Sequence, residues 1–292
     1  MKQPRLTLSV ITVTKNRAPL LTQALASLVG QCKPGDEIIV VDASTDDTPA
    51  VVKTFSKRLP IRYVRFLRSG YPVFYNEGAK RATGDILVFF DDDCIASATY
   101  LARIRRAHAR HPNAVIQGYS RSIPRGNLYA DIMGDHYRNW LISMHIGRNK
   151  LKVFDSKNAS IPRLLFWKYG GLSRSMHLGS EDIELGLRLR RHGIHIYFDS
   201  SVVVSHRERT TRKEFLDQHR RFAASEGHLD HVLPKSERLG VIPQKKLLLH
   251  IRSFIARERH FLQHGKIKDA VFLLFLYVTL AWIRIWGYAT NR

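Results

Sequence analysis

The chain has 292 residues, of which 44% are hydrophobic, and it carries a formal net charge of +22. A chain of this length has room for one large domain or two small ones, each with a real core. The positive charge favours anionic partners: phosphorylated substrates, acidic lipid headgroups or nucleic acid. The two cysteines, Cys32 and Cys94, exclude a disulfide framework and are typical of a reducing compartment.

Strands and helices are predicted to alternate along the first ninety residues. A basic start precedes the first apolar run, but polar residues interrupt that run and no cleavage site follows it, so we predict a strand rather than a signal peptide. The predicted strands are Leu6–Thr14, Glu37–Val41, Ile61–Leu67 and Ile86–Phe90, with helices starting near Pro19 and over Pro49–Lys57 and Val73–Ala82. This alternation predicts parallel βαβ units and a doubly wound α/β sheet.

The second part of the chain gives a less regular pattern. We predict a helix over Tyr100–Arg110, a strand over Ala114–Tyr119, and a lid or helix pair within residues 120–151. A further helix follows Glu181 and ends at His192-Gly193. Two short strands, Ile194–Phe198 and Val202–Ser205, are then expected, the second ending at His206.

Three consecutive carboxylates, Asp91, Asp92 and Asp93, end the apolar strand Ile86–Phe90. Side chains alternate along a strand, so Asp91 and Asp93 face one way and Asp92 the other. Two carboxylates on one side repel each other unless a positive group lies between them. Mg²⁺ or Mn²⁺ suits such oxygen ligands and is usually shared with substrate phosphates. The alternative is an acidic turn that only ends the strand.

Taken together, these segments resemble the family 2 glycosyltransferases, which are inverting enzymes with the GT-A fold that use nucleotide-sugar donors. The resemblance runs from about Leu6 to Gly227. Its motifs are Thr14-Lys15-Asn16-Arg17, Val40-Val41-Asp42, Asn76-x-Gly78, Asp91-Asp92-Asp93, Gly170-Gly171 and Glu181-Asp182, in that order. Each motif is weak alone, and their order and spacing carry the resemblance. It implies a Rossmann-like, doubly wound mixed sheet of the GT-A type.

The resemblance also implies which residues bind the donor. It places Asp42 and the backbone of Val13 and Thr14 at the nucleobase, where a carboxylate accepts from an imide N–H. Arg17 is expected to hold ribose or phosphate. The remaining donor candidates are Asn76, Lys80, Asp91 and Asp92, although Asn76 and Lys80 could equally be ordinary helix-surface residues.

A metal site and a general base complete the implied machinery. Asp91, Asp93 and His206 are the expected ligands of Mn²⁺ or Mg²⁺, although His206 could also be a structural histidine. Inversion requires a base for the acceptor hydroxyl, and we assign Asp182, with Glu181 as a supporting contact or the alternative base. The two acids could instead only balance the dipole of the helix they begin.

Three residues are assigned to the acceptor. Gly171 belongs to the Gly-Gly motif, and Gln218 and Arg221 are similar to part of the QxxRW signature of processive polysaccharide synthases. Phe222 replaces the tryptophan of that signature, and ordinary helix-surface roles for Gln218 and Arg221 are the alternative.

The C-terminal segment differs from the catalytic part, so we predict a catalytic domain over residues 1–230 and a helical extension over 231–292. Residues 241–292 carry nine Lys/Arg and two Asp/Glu, a net of +7. The uncharged run Ala270–Ile283 has 14 residues, a length more typical of a buried or interfacial helix than of a membrane span. Trp282, Trp286 and Tyr288 suit a headgroup boundary. We therefore expect a helix on an anionic membrane; packing on the protein's own core or in a dimer is the alternative.

These observations predict a metal-dependent inverting glycosyltransferase that moves a sugar from a nucleotide-sugar, UDP-linked in most such enzymes. The expected acceptor is a glycan or lipid-linked saccharide in cell-envelope or exopolysaccharide synthesis, and the expected location is the cytoplasmic face of the cell membrane. Alternatives are a polyprenyl-phosphate sugar transferase and a non-catalytic nucleotide-sugar-binding scaffold. No nucleic-acid-binding motif accompanies the charge, so we expect no nucleic-acid partner. The pattern leaves the oligomeric state open.

Overall fold

The computed structural model describes residues 6–66, 71–238 and 244–291. The chain divides into two compact units. The first comprises Met1–Arg121, His145–His177 and Glu181–Arg207, and the second comprises Ser122–Met144, Leu178–Ser180 and Glu208–Arg292.

Ten strands and ten α-helices form the described part of the chain. The strands are β1 Leu8–Thr14, β2 Glu37–Asp42, β3 Ile61–Arg65, β4 Ile86–Phe90, β5 Cys94–Ala96, β6 Val115–Ile123, β7 His145–Gly147, β8 Lys150–Leu151, β9 Asn158–Pro162 and β10 Ile196–Arg207. The helices are α1 Ala18–Leu28, α2 Thr48–Phe55, α3 Tyr71–Arg81, α4 Tyr100–Arg110, α5 Leu128–Met144, α6 Arg163–Lys168, α7 Glu181–Arg191, α8 Arg212–Val232, α9 Gln244–Gln263 and α10 Ile267–Thr290.

A mixed sheet with the strand order β3-β2-β1-β4-β9-β6-β10-β8-β7 organises the first unit. The strands β3, β2, β1 and β4 are parallel neighbours. Every residue of β1, β2 and β4 is buried, including polar residues such as Ser9 and Glu37, which is typical of apolar-rich strands covered on both faces. These observations confirm the predicted parallel βαβ units; the end of the predicted third strand, Leu67, lies outside the described residues.

Antiparallel strands make the sheet mixed. β9 runs antiparallel to β4 on one side and to β6 on the other. The short strand β5, which follows the three aspartates, pairs antiparallel with β10. The carboxyl end of β4 therefore lies beside segments from the second half of the chain, as far along as residue 206.

Two local predictions differ from the structure. Instead of the two short strands Ile194–Phe198 and Val202–Ser205, one strand, β10, runs over Ile196–Arg207, and within it the Asp199 side chain accepts hydrogen bonds from the N–H and hydroxyl of Ser201. The region 120–151 holds the end of β6, one helix, α5, and the β7–β8 hairpin, so the helix pair was wrong, and the alternative role as a lid stays a prediction. Asn127 starts α5 by accepting from the N–H groups of Tyr129 and Ala130.

The second unit is helical. Its core contains Ile132 and Met133 from α5, Phe215 from α8, and leucines from α10. The predicted domain boundary at residue 230 falls inside α8, and α5 and α8 group with the C-terminal helices. Packing alone defines these units, so the extent of the catalytic domain stays a prediction.

Candidate active site

The three aspartates lie where β1 and β4 end side by side in the first unit. Their parallel pairing brings Thr14 and Arg17 to Asp92 and Asp93. The Thr14 hydroxyl donates to Asp92 Oδ2 at 2.8 Å. The Arg17 guanidinium donates to Asp92 Oδ1 and to Asp93 Oδ2, both at 2.5 Å. Arg17 therefore places positive charge between Asp92 and Asp93, whereas the alternation of side chains led us to expect it between Asp91 and Asp93.

His206 also lies at the aspartates, as predicted from its place after the last strand. The antiparallel pairing of β5 with β10 sets His206 opposite Cys94. As a result His206 Nε2 lies 3.3 Å from Asp93 Oδ1, and the Arg207 N–H donates to the Asp93 carbonyl at 2.9 Å. Strand pairing thus brings together two residues, Asp93 and His206, that are 113 positions apart in the sequence.

Burial gives the three carboxyl groups different proton affinities. Burial and the charge of Asp93 raise the pKa of Asp91 to about 6. Burial also raises the pKa of Asp92 to about 7, although Arg17 opposes the rise. At Asp93 the neighbouring His206 and Arg17 outweigh burial and hold the pKa below its ordinary value. Asp93 is therefore the carboxyl of this strand end that keeps its negative charge to the lowest pH.

A second acidic pair begins α7 in the same unit. Glu181 is buried, and Asp182 is partly exposed. Asp182 Oδ2 accepts from the Ser156 N–H at 2.8 Å, and Oδ1 accepts from the Ile183 N–H at 2.8 Å. Ser156 lies just before β9, which pairs with β4, so this hydrogen bond joins the first turn of α7 to the sheet that carries the aspartates.

Asp155 and Lys157 flank Ser156 and form an ion pair. Sequence reasoning missed both residues. The charge of Asp155 acts on Asp91 as well as on the α7 pair. The only sequence signal was a polar Asp-Ser-Lys triplet before a buried strand, which does not by itself distinguish a site from a turn.

The α7 acids have raised pKa values. Burial, followed by the charge of Asp155, raises the pKa of Asp182 to about 6, against lowering contributions from the Ser156 and Ile183 N–H groups and from Lys157. Burial and the charge of Asp182 raise the pKa of Glu181 to about 8. At neutral pH Asp182 is therefore mostly ionised and can accept a proton, whereas Glu181 is mostly protonated and can donate a hydrogen bond.

Asn76 and Gly171 fix the loop that precedes α7. The Asn76 amide donates to the Leu172 carbonyl at 2.7 Å and accepts from the Leu172 N–H at 3.0 Å. Gly171 has a φ of 66°, and a Cβ there would lie 2.8 Å from Asn76 Oδ1. Asn76 is therefore a buried residue that holds this loop rather than an ordinary helix-surface residue, and Gly171 permits the close approach. A part for Asn76 in donor binding stays a prediction.

We expect Asn76→Ala to destabilise the protein by about 1–3 kcal/mol, because two buried backbone groups of Leu172 lose their partner. Gly171→Ala should cost at least as much, since it combines a positive φ with a clash. Gly193→Ala is the matched control: its φ is 75°, but a Cβ there meets nothing within 4 Å. Chemical denaturation of the three variants measures the difference. Equal losses of unfolding free energy in Gly171→Ala and Gly193→Ala would show that the close approach of Gly171 to Asn76 does not contribute to stability.

Lys80 lies in a cleft of about 410 Å³ in the first unit. The cleft is also lined by Asn76, Trp167, Arg174 and Arg188. Lys80 is exposed, and its Nζ lies 4.0 Å from Glu77. Its predicted contact with the diphosphate stays a prediction.

The residues predicted to bind the nucleobase lie close together, but other side chains cover the Asp42 carboxylate. Asp42 is fully buried and accepts from Tyr63 Oη at 2.6 Å, from Arg65 Nη1 at 2.8 Å and from the Ser44 N–H at 2.7 Å. Val13 and Thr14 pair with Val41 and Asp42 on the adjacent strand. A contact between the Asp42 carboxylate and a base requires Tyr63 or Arg65 to move, and base binding stays a prediction.

Gln218 and Arg221 lie on α8 in the second unit. Arg221 donates to the Gln218 side chain at 2.6 Å, as expected for residues three positions apart on a helix. Their acceptor role, like that of Gly171, stays a prediction.

The donor set at the aspartates suits a hard divalent cation in its chemistry. Asp91, Asp93 and His206 supply carboxylate oxygens and an imidazole nitrogen, and His206 already contacts Asp93. Arg17 holds the other oxygen of Asp93. Among the residues that the structure describes, no three His, Cys, Asp or Glu side chains are already arranged around a common metal position. The ligands fit by type, and metal binding stays a prediction.

Residues 9–170 match the sequence profile described as Glycosyl transferase family 2, which is more than half of the chain. The chain belongs to glycosyl transferase family 2. A validoxylamine A glucosyltransferase from Streptomyces hygroscopicus subsp. jinggangensis (strain 5008) is 32% identical over 221 residues, covering 64% of this chain and 52% of the relative. This family 2 chain thus spans about half the length of the curated validoxylamine A glucosyltransferases that it matches.

Solved structures share the fold. The mannosyltransferase PcManGT from Pyrobaculum calidifontis, in complex with GDP-Man and Mn²⁺, superposes with a TM-score of 0.67 at 19% identity, covering 99% of this chain and 88% of that one. TarS 1–349 from S. aureus, in complex with UDP-GlcNAc, gives a TM-score of 0.55 at 18% identity, covering 85% and 73%. The predicted family and the predicted GT-A fold are confirmed.

Proposed function

We propose that this family 2 protein is a metal-dependent inverting glycosyltransferase that moves a sugar from a nucleotide-sugar, UDP-linked in our preferred assignment, to a glycan or lipid-linked saccharide. The observation that carries the proposal is the hydrogen bond from the Ser156 N–H to Asp182, because Ser156 lies just before β9, and β9 pairs with the strand whose end carries the three aspartates. This link supports one site that contains both a base and a carboxylate cluster for the phosphate side, as an inverting displacement requires.

Each group has a defined part in the displacement. Ionised Asp182 accepts the proton of the acceptor hydroxyl as its oxygen attacks the anomeric carbon. The bond from that carbon to the diphosphate breaks, and the sugar is inverted. Protonated Glu181 donates a hydrogen bond to the acceptor, and Lys157 and Arg17 contribute positive charge near the diphosphate. Asp91, Asp93 and His206 would hold a divalent cation, which would supply Lewis-acid stabilisation of the leaving diphosphate.

Two comparisons support the donor and the metal. PcManGT is named as a complex with GDP-Man and Mn²⁺, and TarS as a complex with UDP-GlcNAc. The carboxylates and the imidazole of this chain suit the same class of ligands. Neither structure identifies the sugar or the acceptor of this chain, so we propose only the chemical class of each.

The Asp155–Lys157 ion pair should set the pH at which Asp182 works. Because Asp155 raises the pKa of Asp182, Asp155→Asn should shift the acidic limb of the kcat–pH profile below about 6. Because Lys157 lowers the same pKa, Lys157→Met should shift the limb upward. The profiles are measured from nucleoside diphosphate release at saturating donor and acceptor.

Thr54→Val on α2 serves as the control, since it removes an exposed hydroxyl bonded within its own helix and should leave the limb in place. If the acidic limb moved in the same direction in Asp155→Asn and Lys157→Met, the proposed electrostatic effect of the ion pair on Asp182 would be wrong. If the wild-type profile had no acidic limb, Asp182 would not be the titrating base.

A further inference from the structure

Helix α10 carries an exposed apolar face in the second unit. Phe275, Trp282 and Trp286 recur at helical spacing on this face and are 68%, 63% and 59% exposed. Every exposed residue of α10 between Ala270 and Ala289 is apolar. The set comprises Val271, Phe272, Leu274, Phe275, Val278, Ala281, Trp282, Ile285, Trp286 and Ala289. A continuous apolar face of this size is typical of an interaction surface.

The opposite face of α10 packs within the second unit. Arg284 Nη2 donates to Glu226 at 2.5 Å, and Tyr288 Oη donates to Asp230 at 2.6 Å, both on α8. A Cβ on Gly227 of α8 would lie 2.5 Å from the Tyr288 carbonyl oxygen, so the two helices are in close contact. Their contact surface therefore includes buried charged groups as well as apolar ones.

Among the described helices, α10 is long and apolar enough to cross a membrane by length and composition. Crossing would require α10 to leave α8 or would carry the charged residues of α8 into hydrocarbon, which is costly. A helix that keeps α8 on one side can instead lie along the surface of a bilayer with its apolar side in the headgroup boundary.

Helix α9 adds positive charge to an apolar face of its own. At about 100° per residue, Leu248, Ile255 and Leu262 point the same way as Arg252 and Arg259. All five side chains are exposed. Basic residues interspersed with aliphatic ones match a surface of anionic headgroups over acyl chains. A second copy of this chain would bring the same positive charge to the contact, which opposes self-association through this face.

We propose that the exposed faces of α9 and α10 bind the surface of an anionic lipid bilayer, with α10 lying in the membrane plane. Residues 241–292 carry a net charge of +7, which is opposite in sign to the anionic headgroups and therefore attracts them. Binding of α9 and α10 to the bilayer does not depend on sugar transfer, so it can be measured without an activity assay.

The test is flotation of the full chain with two vesicle types: phosphatidylcholine alone, and phosphatidylcholine mixed with phosphatidylglycerol. We expect the wild type to float with the mixed vesicles and to be released by high salt. Trp282→Glu should weaken the partition coefficient about tenfold, and the double variant Trp282→Glu/Trp286→Glu more strongly. Arg252→Glu/Arg259→Glu should abolish the preference for the anionic vesicles.

Matched controls carry the same changes in the first unit. Leu164→Glu replaces an apolar side chain that is 78% exposed on α6, and Arg106→Glu/Arg190→Glu reverses two exposed charges on α4 and α7. These variants should float like the wild type, and all variants should keep the wild-type melting temperature. Failure of the wild type to float, or equal losses in the controls, would overturn the proposal. A wild-type dimer that Trp282→Glu converts to a monomer, without vesicle binding, would assign the face to a second copy instead.

Discussion

Asp182→Asn is expected to lower kcat by about 10²- to 10⁴-fold, the range for removal of a positioned general base. The substitution keeps the shape of the side chain but removes the ability to take the proton. Asp182 accepts hydrogen bonds from the N–H groups of Ser156 and Ile183, and one amide oxygen of asparagine retains an acceptor for one of them. Donor affinity should therefore change little, and the loss should appear in kcat.

Glu181→Gln provides the comparison within the same turn. Because the pKa of Glu181 is raised to about 8, its carboxyl is mostly protonated at neutral pH, and glutamine reproduces a neutral donor and acceptor. Glu181→Gln should therefore retain much more activity than Asp182→Asn. A reversed order, with Asp182→Asn active and Glu181→Gln inactive, would move the base to Glu181.

The pH dependence of kcat is a second test of Asp182 as the base. The wild-type kcat should rise as pH increases through about 6, where Asp182 loses its proton, and then level off. A polyprenyl-phosphate acceptor attacks with a group that is already ionised and requires no strong base. Near-normal turnover of Asp182→Asn with such an acceptor would therefore favour the polyprenyl-phosphate sugar transferase.

Asp93→Asn is expected to abolish the metal-dependent part of donor binding and to lower turnover at least about 100-fold. Asp93 is in contact with both Arg17 and His206, and its pKa is held below its ordinary value. It is therefore an ionised carboxylate of the kind that hard divalent cations prefer, and asparagine would remove its charge from the proposed cation and from both neighbours.

The measurement is the thermal shift produced by UDP and by GDP with and without Mn²⁺, because a ligand that binds only the folded state raises its stability. Wild type should show a larger shift with Mn²⁺ present, and Asp93→Asn should lose that increment. Asp92→Asn is the matched control one residue away, where the side chain bonds Thr14 and Arg17. An unchanged Mn²⁺ increment in Asp93→Asn, or its equal loss in Asp92→Asn, would contradict the assignment of Asp93 as the ligand.

The local sequence pattern predicts the parallel half of the sheet because β1, β2 and β4 are rich in apolar residues and a helix separates each parallel strand from the next along the chain. The Asp91–Asp93 strand end and the Glu181-Asp182 turn were also predictable, since each pattern places acids at the end of an element. These elements depend on neighbours in sequence, and the pattern of apolar residues records them directly.

The remaining features depend on pairing between distant segments. Nothing near Asn158 indicates that β9 enters the sheet antiparallel to β4 and so brings Asp155 and Lys157 to the aspartates. Hydrogen bonds that join positions 76 and 172 likewise leave no local periodicity. Asp42 depends on a distant segment too. Its motif predicts a carboxylate that is accessible to a nucleobase, but Tyr63 on the adjacent strand covers it.

The most direct test of the central claim is nucleoside diphosphate release from a panel of UDP- and GDP-sugars, with Mn²⁺ and a membrane extract as the source of acceptor. We expect the wild type to release nucleoside diphosphate from at least one donor, and chelation of the metal to stop that release. Asp182→Asn should release it only at the background rate. The product should have an inverted anomeric configuration by NMR. Donor binding by the wild type without release across the panel would contradict the central claim and favour a non-catalytic nucleotide-sugar-binding protein.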